Sequence, residues 1–145
     1  MTDAERKKRR LIRLLECDVY CRLMPSGIHG VGWVAIRDIP KGVNPWRGVS
    51  DPKWCRLSEA DLASTPPVVH KMVTDYAVFE KGRYWVPVGG PNVLDYGYYI
   101  NHSKTPNLKA MGHMGDYFVT TRLIEVGEEL TIDYNEYGVG NSAVP

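Results

Sequence analysis

The 145-residue sequence predicts a mainly β protein of small sheets with a few short helices. Many short β-branched and aromatic runs are punctuated by Gly and Pro turns, little of the chain has helical periodicity, and one segment reads as a β-hairpin. A hydrophobic fraction of 43% is enough to bury one core in one domain.

Residues 1–16 form a basic N-terminal arm with a short helix expected over 4–16, its Leu11, Ile12, Leu14 and Leu15 docking on the body. Val19 to Met24 reads as a strand broken by Pro25-Ser26-Gly27. Next comes Gly27-Ile28-His29-Gly30-Val31-Gly32, a G-x-x-G-x-G turn feeding a strand through Ile36. A dinucleotide fingerprint has a strand before the glycines and a helix after them, because the helix N-terminus holds the pyrophosphate. Here a strand follows, so close backbone approach is indicated and phosphate binding is not; read alone, the segment also fits a plain hairpin turn with glycines at positive φ. Arg37-Asp38-Ile39-Pro40-Lys41-Gly42 is a turn that Arg122-Leu123-Ile124-Glu125-Val126-Gly127 echoes, and we read one turn type used twice rather than a repeat.

Asn44 to Lys53 should be irregular, with Trp46 and Trp54 anchored on the core. Ser58-Glu59-Ala60-Asp61 has a capping arrangement that starts a short helix ended by Pro66-Pro67, and Val68 to Asp75 makes a second helical turn. Tyr76–Phe79 and Tyr84–Val88, joined through Glu80-Lys81-Gly82-Arg83, form the hairpin. Asp116 to Thr121 and Leu130 to Tyr134 are strands, and 138–145 is a flexible tail.

Charge and cysteine content exclude several classes. The net charge is +1, but residues 1–13 hold six basic and two acidic side chains while the remainder holds twelve and fifteen. A mildly acidic body suits a basic partner. Arg6, Lys7, Lys8, Arg9 and Arg10 offer a nucleic-acid contact or a nuclear address, against the plain reading of a solvated terminus. Aromatics are not interleaved with these bases as a single-strand platform needs. Cys17, Cys21 and Cys55 form no C-x-x-C pair, and His29, His70, His102 and His113 show no zinc pattern, so free thiols and no metal are expected. Without a signal-peptide core or an apolar run of spanning length, the expected protein is soluble and intracellular, with no membrane contact. Asn101-His102-Ser103 satisfies the glycosylation pattern, which an intracellular chain would not use.

Four segments in order, Gly30-Val31-Gly32-Trp33, Trp46-Arg47-Gly48, Asn101-His102-Ser103 with Pro106-Asn107, and Gly127-Glu128-Glu129-Leu130-Thr131-Ile132-Asp133-Tyr134, resemble the SET domain of protein lysine methyltransferases. The resemblance covers residues 17–137, which it implies to be a SET-like catalytic domain. It implies the SET-domain (β-clip) fold, with a knot-like C-terminal crossing between the Asn-His segment and the last strand. It also implies S-adenosyl-L-methionine as cofactor and direct methyl transfer to a lysine amine in a histone tail or other basic protein.

Under that resemblance His29, Gly30, Val31 and Gly32 bring backbone to the methionine end of the cofactor. Asn101 meets its ammonium, and His102 turns its backbone to the adenine and its ring to the crossing. Tyr98, where the family often has arginine, lies alongside. Tyr134 is the catalytic tyrosine. Trp46, Ile132 and Tyr137 are assigned to the substrate channel: Trp46 replaces the family's usual tyrosine and either lines the channel or simply packs, and Ile132 leans towards products beyond monomethyl-lysine. Flanking zinc-binding cysteine clusters are absent, and with only 11 residues after Tyr134 the channel wall would come from Tyr137, from the tail ordering on binding, or from a second chain in a homodimer. The location implied is nuclear for a eukaryotic or viral source and cytoplasmic otherwise. The competing function is a SET-like module that binds chromatin or nucleic acid without turnover. Tyr134 read alone is a tyrosine closing a strand with its ring in the core.

Overall fold

The computed structural model describes residues 1–46, 53–93, 96–112 and 117–137. The expectations for Arg47, Gly48, His113, Asp116 and the 138–145 tail lie outside the described residues. The chain opens with helix α1 (Asp3–Cys17), started by a reciprocal capping box between Thr2 and Glu5. Leu11, Ile12 and Leu15 do not dock, contrary to the sequence reading, and only Leu14 is half-buried. None of its residues is buried, and Leu11 and Leu15 remain 55% and 52% exposed. The tether to the body is polar instead: Arg37 Nη1 donates to the Glu16 carbonyl at 2.7 Å.

Strands β1 (Cys21–Pro25) and β2 (Val31–Ala35) are antiparallel, with Cys21 opposite Ala35 and Pro25 opposite Val31. A four-stranded sheet runs in the order β1-β2-β9-β6, with β6 at Asn101–His102 and β9 at Glu129–Ile132. The second sheet is β3 (Trp54–Leu57), β5 (Arg83–Pro87) and β4 (Val78–Glu80), in that order. The β4–β5 hairpin turns at Lys81-Gly82, both at positive φ (49° and 75°), the pairing a tight two-residue turn demands. A third sheet pairs β7 (Leu108–Met111) with β8 (Tyr117–Thr120).

Helix α2 (Glu59–Leu62) carries the expected cap, a reciprocal box between Ser58 and Asp61. Pro66-Pro67 does not merely end it. Pro67 is the first residue of α3 (Pro67–Tyr76), where a missing N–H costs nothing. Strands β3 and β7 were not anticipated, and Trp54 is 44% exposed on β3 rather than anchored in the core.

Two apolar clusters result. Leu62, Val73, Tyr84 and Val86 sit under the second sheet, while Trp33, Ile39, Ile100, Leu108, Ile124, Leu130 and Ile132 fill the space around the first. The echoed turns face one another in this larger cluster. Ile39 N–H donates to Ile124 O at 2.8 Å and Ile124 N–H to Ile39 O at 2.9 Å. Gly42 N–H reaches Thr120 O and Gly127 N–H reaches Ala35 O, both at 2.8 Å. Ala35 N–H bonds Glu128 O at 2.9 Å, and Thr120 N–H bonds Val43 O at 3.0 Å. Exchanging 35, 39, 42 and 43 for 120, 124, 127 and 128 maps this set of bonds onto itself. Both glycines have positive φ, 82° and 92°, as the shared turn requires.

Candidate active site

The site is built on a two-residue parallel pairing: Asn101 lies opposite Thr131, and His102 opposite Ile132. So short a pairing is weak alone, and Asn107 reinforces it. The Asn107 side chain accepts from Thr131 N–H through Oδ1 and donates to Glu129 O through Nδ2, both at 2.9 Å, in the manner of an added strand. Ser103 N–H extends the contact to Ile132 O at 2.9 Å. Asn101, Asn107 and Thr131 are buried polar residues, and all three are hydrogen-bonded within the crossing, as burial demands.

On one side of the crossing, acceptors converge on the Asn101 amide. Its Nδ2 lies 2.7 Å from Glu129 Oε1, 3.0 Å from Ser26 Oγ, 3.0 Å from His29 O and 3.1 Å from Val31 O. The β2–β9 ladder covers only Trp33 and Val34, so the Val31 carbonyl beyond it is turned to this amide. Ser26 Oγ accepts from Ile28 N–H at 2.8 Å and His29 N–H at 3.2 Å, and it stands 2.8 Å from both Glu129 carboxylate oxygens. An amide nitrogen has two hydrogens, so four acceptors oversubscribe it. The surplus of acceptors fits a cationic group such as an ammonium.

The other side carries Tyr134, placed in the first position of a 3-10 turn (Tyr134–Tyr137) just beyond β9, not at the end of the strand as expected. Its hydroxyl donates to the Ile100 carbonyl at 2.7 Å. Its N–H donates to His102 Nδ1 at 3.1 Å, which leaves the neutral His102 ring with its hydrogen on Nε2. Burial pushes the Tyr134 phenol up from its ordinary pKa, so it is neutral at physiological pH.

The remaining residues singled out in the sequence fall in several places. Gly30 has φ +52°, and Gly32 faces the Glu129 carboxylate, with which any Cβ there would collide. Trp46 packs between Trp33 and Phe118, at ring-centroid distances of 4.4 and 5.5 Å. Ile132 is buried in the main cluster, against which Tyr134 also packs. Tyr98 lines an apolar cleft with Met72, Tyr76 and Pro87 and faces Trp54. For Tyr137 the backbone alone is described. Of the arm's basic residues, Arg6 and Lys7 pair with Asp3 on exposed helix.

Sequence reading missed Ser26, Glu129 and the side-chain work of Asn107. The signals were faint: a serine inside a Pro-Ser-Gly turn, and a glutamate paired by register with strand residue Val34.

The crossing thus holds an acceptor-rich turn and a half-buried neutral phenol together. The chain belongs to the SET-domain family, whose family model matches residues 30–135. Among solved structures, one from Plasmodium falciparum, named as a candidate histone methyltransferase, is similar at 18% identity with a TM-score of 0.47, covering 79% of this chain and 92% of that one. No curated protein matches.

Proposed function

We propose that the chain is an S-adenosylmethionine-dependent protein lysine N-methyltransferase acting on a histone tail or another basic protein. One observation carries the reading: acceptors suited to an ammonium and a neutral, half-buried tyrosine are held by the same crossing of β6 and β9. His29, Val31, Asn101 and the glycines at 30 and 32 would hold the cofactor's amino-acid end. When bound, S-adenosylmethionine supplies an electrophilic sulfonium methyl.

The rest is positioning by the chain. A lysine amine has a reference pKa of about 10.4 and must be neutral to attack. Apolar surroundings favour the neutral form. Tyr134 spends its hydrogen on Ile100 O, so its oxygen lone pairs are left to accept from the incoming amine and orient it. Losing such positioning can cost on the order of 10²-fold in rate.

The test is incubation with methyl-labelled cofactor and core histones or a cell lysate, beside Tyr134→Phe. We expect label on lysine in the wild type, and roughly a hundredfold less in the variant with cofactor binding retained. Cofactor binding without label transfer would reject the enzyme in favour of a non-catalytic module for chromatin or nucleic acid.

A further inference from the structure

The acceptor group at Asn101 contains one full negative charge, that of Glu129, and its electrostatic balance is incomplete. Ser26 Oγ already receives the Ile28 and His29 N–H groups and gives its own hydrogen to Glu129. With both lone pairs engaged, it is a poor target for Asn101 despite the 3.0 Å separation. The two hydrogens of Asn101 are therefore shared among Glu129 Oε1, His29 O and Val31 O. With the Ser26 hydrogen on the carboxylate, the two Asn101 hydrogens can serve both carbonyls, so what stays unmatched is the charge of Glu129 and not a missing hydrogen.

Among the described residues, no lysine, arginine or histidine forms an ion pair with Glu129. Its carboxylate is only half-exposed, in contact with Gly32 on the strand behind the glycine turn. A partly buried carboxylate without a counter-cation, beside two carbonyls that can each accept a second hydrogen bond, is the complement of an ammonium.

We infer that Glu129 is a cofactor-binding residue whose carboxylate forms the ionic contact to the cofactor's α-ammonium, with the His29 and Val31 carbonyls taking its other hydrogens. Ser26 is the positioning residue that aims the carboxylate. This assignment rests on the cofactor reading given above and extends it to a charge that Asn101 cannot supply. It also accounts for glycine at 32, since a side chain there would displace the carboxylate.

The contact is testable by binding alone. Affinities of the full chain are measured by calorimetry for S-adenosylhomocysteine and for its analogue in which hydrogen replaces the amine, in the wild type and in Glu129→Gln. Thermal unfolding confirms that the variant is folded. We expect the wild type to prefer the amine-bearing ligand by roughly ten- to a hundredfold, the range for a hydrogen bond to a charged group, and Glu129→Gln to lose most of that preference. A wild type that binds both ligands equally, or a folded Glu129→Gln that keeps the full preference, would overturn the assignment while leaving the cofactor reading intact. A wild type that binds neither ligand would overturn the cofactor reading itself. Should Glu129→Gln not fold, the preference of the wild type, read with Ser26→Ala, decides the matter: a preference that falls when Ser26 is removed supports the aimed carboxylate, and an unchanged one overturns it.

Discussion

Residues 37–42 and 122–127 make the same turn, bond to each other through matching backbone groups, and lead to different ends. After the first, the chain passes through Val43, Asn44 and Pro45 to Trp46, whose ring becomes packing between Trp33 and Phe118. After the second, it enters β9 and delivers Glu129 and Tyr134. The side chains within the turns differ too. Asp38 Oδ1 accepts from Val126 N–H at 2.9 Å, and Arg37 is spent on α1. Leu123, the counterpart of Asp38, is exposed, and Arg122 instead pairs with Glu128. The frame is thus a backbone property secured by two isoleucines, while the chemistry belongs to whatever strand the frame launches.

That view is most strongly tested at the isoleucines. Ile39 and Ile124 are both 0% exposed, so Ile→Ala at either should cost about 2–5 kcal/mol in denaturant unfolding, by lost transfer energy and a residual cavity. Markedly unequal costs would break the equivalence. The glycines come next. A Cβ at Gly42 or Gly127 would meet nothing within 4 Å, so Gly→Ala at each isolates the backbone penalty, about 1–2 kcal/mol. Here stability should fall equally and function should not: methyl transfer should suffer more in Gly127→Ala, which lies two residues before the strand of the site. Equal activities in the two variants would contradict the division of labour.

The smallest effect is electrostatic. The bond from Arg122, then the N–H of Glu125, holds the Glu128 carboxyl below its ordinary pKa of 4.5. A depressed folded-state pKa gives stability that is present above 4.5 and is lost as pH falls through the folded value. Arg122→Ala should therefore be destabilised by less than about 1 kcal/mol near neutrality, with the gap to wild type closing below pH 4.5. Thermal unfolding across pH measures this, and a gap that persists in acid would assign the effect to packing of the arginine stem.

Much of this was readable from local chemistry. Lys81-Gly82 and the Ser58–Asp61 cap are short-range signals, and both formed the elements they announced. The Asn101-His102 and Glu129–Tyr134 segments were linked by resemblance, and the register that joins them sets Asn101 opposite Thr131 and His102 opposite Ile132. What escaped depends on long-range partners. Strand β3 follows Pro52, and Trp54-Cys55-Arg56-Leu57 has no alternation to mark it; β5 supplies its pairing. Asn107 looked like a turn residue because nothing nearby tells that its amide fills a strand's place beside Thr131. The leucines of α1 misled in the opposite direction, since a helical spacing does not say whether a surface waits to receive it.

The position of β9 also governs when the site can exist. It follows every other described strand in the chain, yet it lies inside its sheet, between β2 and β6. Until it arrives, β2 is a bare edge offering Trp33 and Val34, and β6 is a two-residue segment with no partner. Non-local pairings of this kind close slowly and leave an open edge meanwhile. Folding should accordingly end, not begin, at the active site, and a nascent or partly unfolded chain would expose a sticky strand before it could hold any cofactor.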